Sequence, residues 1–212
     1  ALLGVNASRA SWHTAMLPAQ FPIFNLTSGI ALMLVFLGFF GIVQNADQRT
    51  RLLRVLSLLI VALLIVKAYF LWVDYSQALY SGIPQAVEAV NLVLFGPFGW
   101  AFWVLQIGVG MVIPIIVLIQ PNLTKRGVLV GFIGVFVLIG LAVARTSIIF
   151  PALAIPELEG LATAFTGPHL SFNYVPSIME WSVTVGVVGL STLAYLIGSD
   201  LLPFLKNKTE VA

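Results

Sequence analysis

Apolar residues fill this chain in five long stretches, separated by two short polar segments and two longer linkers. The stretches lie near Leu17–Gln44, Leu52–Trp72, Phe98–Ile119, Val128–Ile149 and Pro176–Gly198. Each is continuous rather than alternating, and at about 1.5 Å per residue each can cross the roughly 30 Å of a bilayer's hydrocarbon. Barrel strands would instead be short and alternate in polarity. The pattern predicts an all-α fold, a polytopic transmembrane helix bundle with about five transmembrane helices in one domain, 1-212. The segment 120–126, with Pro121 and Asn122, reads as a turn. The linkers Val73–Pro97 and Phe150–Val175 are rich in Gly and Pro, and the first is expected to hold a short surface helix around Gln85–Leu94.

Charge then orients the bundle. Arg49, Arg51, Arg54, Lys125, Arg126, Lys206 and Lys208 fall on the side of the short linkers, and only Arg9 on the side of the long ones. Basic residues mark the cytoplasmic side. The N-terminus and long linkers are therefore expected outside and the C-terminus in the cytoplasm, in a cell's inner (cytoplasmic) membrane.

Composition removes several kinds of chemistry. The 212 residues are 60% hydrophobic and 8% charged, against roughly 25% charged in soluble domains. With no cysteine, the chain offers no disulfide, thiolate metal site or iron–sulfur cluster of its own. Its two histidines, His13 and His169, lie outside the helix centres, so a bis-histidine haem and a protein metal site are not expected. The net charge of +2, carried mostly at helix ends, gives no nucleic-acid signature. Neither a phosphate loop nor a nucleophile elbow is present.

What remains is a layer of polar residues inside apolar helices. Lys67 and, two turns on, Asp74 share one face of the second helix. Arg145 lies in the outer third of the fourth, Glu180 in the first turns of the fifth, His13 before the first, and Gln106 in the outer half of the third. A charge at the membrane centre costs about 2.5–3.5 kcal/mol on insertion scales, so such residues are candidates for proton or ligand handling. All five tryptophans lie towards the same side. Plainer readings stand beside this one. The tryptophans can form an interfacial belt, and Ser177 to Glu180 fits a capping box. Arg145 and Glu180 can clamp two helices as an ion pair, and Lys67 can snorkel outward. Asn25, Thr27, Ser28 and Gly29 can serve close helix packing. Pro114 should kink the third helix and free a carbonyl near Gly110.

Four passages, in order, resemble one family. They are Trp12-His-Thr-Ala-Met-Leu-Pro18 with Leu26-Thr-Ser-Gly29; Phe95-Gly-Pro-Phe-Gly-Trp-Ala-Phe-Trp103 with Pro114; Ala144-Arg145; and Tyr174-Val-Pro-Ser-Ile-Met-Glu180-Trp181. Together they look like the NrfD/polysulfide reductase membrane subunits of the ten-helix type, as in hydrogenase membrane subunits and alternative complex III. The chain departs from that pattern at Ala144, where the family has asparagine. The likeness maps to the family's C-terminal half, so the chain is expected to be part of a larger helical subunit.

The resemblance implies a quinone-interacting subunit of a multi-subunit redox complex. Such a subunit anchors an iron–sulfur (ferredoxin-like) partner beside a larger catalytic subunit and passes electrons to or from membrane quinone, of menaquinone or ubiquinone type. His13, Lys67, Asp74, Arg145 and Glu180 become candidates for the quinone or proton site, and Trp12 and Trp181 for ring stacking. Two alternatives stay open. One is a proton-translocating half-channel that reaches Asp200, roughly 30 Å along the last helix from Glu180. The other is a purely structural anchor.

Overall fold

The computed structural model describes residues 16–40, 45–97, 99–155 and 177–201, and every regular element among them is helical. These are α1 (Met16–Phe39), α2 (Ala46–Tyr80), α3 (Pro84–Leu94), α4 (Ala101–Ile119), the one-turn α5 (Pro121–Thr124), α6 (Gly127–Ala154) and α7 (Ile178–Leu201). Five of them, α1, α2, α4, α6 and α7, are long and apolar enough to cross a membrane. The chain divides into two compact units, residues 1–172 and 173–212; α7 belongs to the second and is described by itself.

α2 runs well beyond the apolar stretch Leu52–Trp72. Its 35 residues would extend about 52 Å, more than a bilayer's hydrocarbon requires. At its start the Asn45 side chain accepts from the Asp47 N–H at 3.2 Å, and Asp47 adds a negative charge where the helix dipole favours one. At the other end Asp74, Tyr75, Ser76 and Gln77 stay helical because no helix breaker comes before Gly82. Gly82 takes a left-handed conformation, φ 70, and Pro84 then opens α3 at a position where its missing N–H costs nothing. The start of the linker expected from Val73 is therefore two more turns of α2. α3 buries Ala86, Ala89, Val90 and Val93 and leaves Glu88 and Asn91 exposed, the one-sided pattern of a helix lying on a bundle.

α1, α2, α4 and α6 form an up-and-down bundle around Leu34, Leu53, Ile60, Leu64, Leu118, Val130, Val137 and Leu141. In lipid the apolar faces gain little from association, so close packing must hold the helices together. Small residues allow it at three places. A Cβ on Gly38 would lie 2.6 Å from the Gly127 carbonyl and 2.7 Å from the Gly131 backbone. One on Gly134 would lie 2.8 Å from the Ala31 carbonyl. Gly110 and Gly140 meet backbone to backbone. These contacts set α1 and α4 antiparallel to α6. Gly29 plays no such part, since nothing lies within 4 Å of where its Cβ would be.

α4 changes register along its length. Ala101–Val112 is π-helical and Ile113–Ile119 α-helical, with the Ile113 N–H reaching back to the Gly108 carbonyl. Pro114 has no N–H to continue the wider register. The structure shows this change of register beside the proline expected to kink the helix.

Two arginines fasten the end opposite the polar layer. Arg49 Nε and Nη2 donate to the Leu37 carbonyl at 3.1 and 2.9 Å, and Nη2 also to Gly38 at 3.0 Å. Arg54 Nη1 donates to the carbonyls of Leu118 and Ile119 at 3.1 and 3.0 Å. Both place a cation on the last carbonyls of a neighbouring helix, where the dipole is negative. Arg54→Met is expected to lower stability in detergent by about 2 kcal/mol, since hydrogen bonds from a charged donor contribute about 1.5–3 kcal/mol. Arg54→Lys should recover part of it. A melting temperature unchanged in Arg54→Met would show that the contact adds nothing.

Candidate functional site

The bundle's packing brings one polar residue from each of its four long helices to a common depth. α1 and α2 meet where the Lys67 ammonium lies 5.4 Å from the Phe24 ring centroid, a cation–π distance. α1 and α6 meet where Arg145 Nη2 donates to Asn25 Oδ1 at 2.8 Å. Gly110 faces Gly140 on the antiparallel pair α4 and α6, so Gln106, four residues back on α4, comes level with Ala144 and Arg145. Arg145 is also within coulombic reach of Lys67. Phe24 and Asn25, Lys67, Gln106 and Arg145 thus make one layer. Towards the α3 end, Gln20 lies beside the Asp74 carboxyl. There the Tyr75 and Phe102 rings stand 5.5 Å apart, and the Trp103 indole N–H donates to the last carbonyl of α3, Leu94, at 3.0 Å.

Lys67 and Gln106 are buried, Arg145 is half-buried and Asn25 exposed, and several of their polar atoms are short of partners. Lys67 and Gln106 are each 1% exposed and Gln20 5%. Lys67 Nζ, Arg145 Nε and Gln106 Oε1 have no hydrogen-bond partner among the described residues, whereas the Gln20 amide serves the Asp74 carboxyl. Buried polar groups are normally satisfied, because an unmade bond costs about 1–3 kcal/mol. Three such atoms, on α2, α4 and α6, are the polar groups of this layer left open to a further partner. Lys67 does not snorkel; the bundle encloses it, and its neighbours are an aromatic ring and a second cation.

The remaining candidates fall elsewhere. Trp12, His13 and the Asp200 side chain lie outside the described residues. Glu180 and Trp181 are in the first turn of α7, in the second unit. There the Glu180 carboxylate accepts from the Ser177 N–H at 2.6 Å and from its hydroxyl at 3.0 Å, while the Glu180 N–H donates to Ser177 Oγ at 3.3 Å. This is the capping box that the sequence spacing suggests. Ser177→Ala is expected to cost about 1 kcal/mol of local helix stability, read as roughly fivefold faster hydrogen exchange at the Glu180 amide. Unchanged exchange would mean that the box does not hold the helix start. Along α7, Ser182, Thr184, Ser191 and Thr192 each donate to a carbonyl three or four residues back, as Thr27 does to Ile23. These hydroxyl protons are held within their own helices.

Sequence reading passed over Gln20 as a site residue, although a glutamine four residues before Phe24 on an apolar helix was a visible signal. It also read Arg49 and Arg54 only as charge, because a contact to a distant helix terminus leaves no local trace.

Comparison with known proteins places this geometry in a family. The model of the family described as polysulphide reductase, NrfD, matches residues 1–157. The chain is 32% identical over 211 residues to a selenate reductase subunit of Mesobacillus selenatarsenatis, an alignment that covers 99% of this chain and 48% of that protein. It is 29% identical over 208 residues to the Hdr-like menaquinol oxidoreductase integral membrane subunit of Archaeoglobus fulgidus, covering 95% of this chain and 52% of that one. No solved structure matches it significantly. The chain spans about half the length of these curated relatives. With five membrane-length helices and a family match over most of its residues, it belongs to the polysulphide reductase NrfD family.

Proposed function

We propose that this chain is part of a quinone-interacting integral membrane subunit of a multi-subunit redox complex. In this reading it anchors an iron–sulfur subunit beside a catalytic subunit and carries the membrane end of electron exchange. The observation that carries the proposal is the set of unpartnered polar atoms on Lys67, Gln106 and Arg145, in a family whose relatives include a menaquinol oxidoreductase membrane subunit.

A quinone fits the residues present. Its headgroup supplies two-electron, two-proton chemistry and carries two oxygens on a flat apolar ring. Lys67 Nζ and Arg145 Nε are donors for such oxygens, the Gln106 amide can pair with them, and Phe24 supplies apolar surface beside Lys67. Few polar groups in a largely apolar setting are the usual composition of a small-molecule site. Asp74, nearer the α3 end and beside Gln20, is the carboxylate placed to exchange protons with the aqueous side. The arginine-rich end is assigned to the cytoplasm by the positive-inside rule, which leaves the polar layer in the outer leaflet.

Purification from the native membrane in mild detergent, followed by mass spectrometry, tests the assembly. An iron–sulfur subunit and a larger catalytic subunit are expected in fixed ratio with this one. A subunit that purifies alone from intact membranes would remove the redox reading.

A further inference from the structure

We propose that the end of the bundle opposite the polar layer binds the headgroup of an anionic phospholipid. Arg51, Lys125 and Arg126, gathered around the one-turn helix α5, hold it, and Arg54 is a fixed donor beside them.

Arg49, Arg51, Arg54, Lys125 and Arg126 meet at this end, against a single carboxylate among the described residues there, Asp47. The packing of α5 against α2, α4 and α6 gathers them. Arg54 donates to the Leu118 and Ile119 carbonyls, just before α5 begins, and Arg51 is its neighbour three residues earlier on α2. Lys125 closes α5 and Arg126 opens α6. Beside Arg126, a Cβ on Gly127 would lie 2.6 Å from Arg49 Nη2. Arg49 and Arg54 are occupied with helix carbonyls, but Arg54 bonds through Nη1 alone, so its Nε and Nη2 stay available on a guanidinium already held in place. The side chains of Arg51, Lys125 and Arg126 are exposed and make no ion pair or hydrogen bond with the described residues. Like charges drawn together repel, and an anion between them relieves the repulsion.

The surroundings favour a lipid as the source of that anion. The cations stand at the rim of an outward-facing apolar surface. Leu52 and Val55 follow Arg51 on α2, Ile116 and Ile119 end α4, and Val128 follows Arg126, all of them exposed. A phosphodiester carrying acyl chains has the same pattern, charge at the rim and hydrocarbon along the helices. Its oxygens suit the planar fork of arginine, which pairs phosphate bidentately. A free phosphate or an acidic protein surface would use the cations and leave the apolar strip unmatched.

Native mass spectrometry of the intact complex, titrated with phosphatidylglycerol and separately with phosphatidylcholine, reads the site as lipid held by the parent and lost from its variants. Arg51→Gln, Lys125→Gln and Arg126→Gln are each expected to bind phosphatidylglycerol about fivefold more weakly, the usual contribution of one Lys or Arg at an anionic surface, with phosphatidylcholine unaffected. The triple variant should lose about a hundredfold, and the three single variants decide the result if the triple one does not assemble. Arg51→Lys, which keeps the charge, should retain most of the binding. Because the three positions are exposed, the melting temperature in zwitterionic detergent should not move. Equal binding of the two lipids, or phosphatidylglycerol binding unmoved in all three single variants, overturns the proposal. Displacement of phosphatidylglycerol by inorganic phosphate at equal concentration overturns it in favour of a free-phosphate site. Loss of a protein subunit from the variants, with the bound lipid unchanged, overturns it in favour of a protein interface.

Discussion

Lys67→Met is expected to leave the subunit folded, with a melting temperature in detergent equal to or above the parent's, while quinone-linked turnover of the complex falls about a hundredfold. The two halves of this result come from the same geometry. Lys67 is 1% exposed, its Nζ has no hydrogen-bond partner among the described residues, and Arg145 repels it. An uncompensated buried charge costs several kcal/mol, and replacing it with an apolar chain of similar volume is often neutral or stabilising. Methionine fills the same space and keeps contact with Phe24. A structural role therefore predicts a loss of stability that this substitution should not produce. The fall in turnover follows if the ammonium places or protonates a ligand oxygen, a contribution of about 10²–10⁴-fold for a positioned acid or base. A stable variant with full turnover would remove Lys67 from the site. A variant that fails to fold would show that the charge itself holds the α1–α2 contact.

How much of this was legible in the sequence depends on the range of the contact. Five membrane-length helices follow from apolar run length, a local property, and they are present. The start of α3 near Pro84 and the capping box of α7 were equally local. Lys67, Asp74 and Arg145 stood out because charge in an apolar run is costly wherever it is placed. The partner of each did not, because partners come from other helices. Asn25 was one small residue among several until packing set it 2.8 Å from Arg145. Gly29 carried the same close-approach signal as Gly38 and Gly134, yet only the latter two touch a neighbouring helix. Small residues permit close approach; which of them is used depends on helix rotation, and a single sequence does not encode that in any local pattern. The length of α2 was underestimated for a related reason. Apolar content marks where lipid is, whereas the helix ends where Gly82 and Pro84 end it, two turns further on.

The contact between α4 and α6 gives the largest structural prediction. Gly140→Val is expected to prevent the native packing of the two helices, with most of the protein lost to aggregation or degradation on expression. At both Gly110 and Gly140 the nearest obstacle to a Cβ is the other glycine's Cα. Backbone cannot rotate aside as a flexible side chain can, so the helices must separate. Overpacking inside a close-packed interior costs about 1–3 kcal/mol when side chains can adjust, and a β-branched residue against backbone belongs at or above the top of that range. The smaller Gly140→Ala should still fold in part, at a melting temperature clearly below the parent's. Gly29→Ala is the matching control. With open space around its Cβ position, it should be neutral or more stable by about 0.5–1 kcal/mol, the usual gain of alanine over glycine in a helix. The site depends on the same contact, since Gln106 is held level with Arg145 only while Gly110 meets Gly140. Gly140→Ala should therefore weaken quinone-linked turnover of the complex as well as stability, whereas Gly29→Ala should leave turnover unchanged. Equal stability of the two alanine variants would mean that α4 and α6 are not pressed together here, and the common depth of Gln106 and Arg145 would go with it.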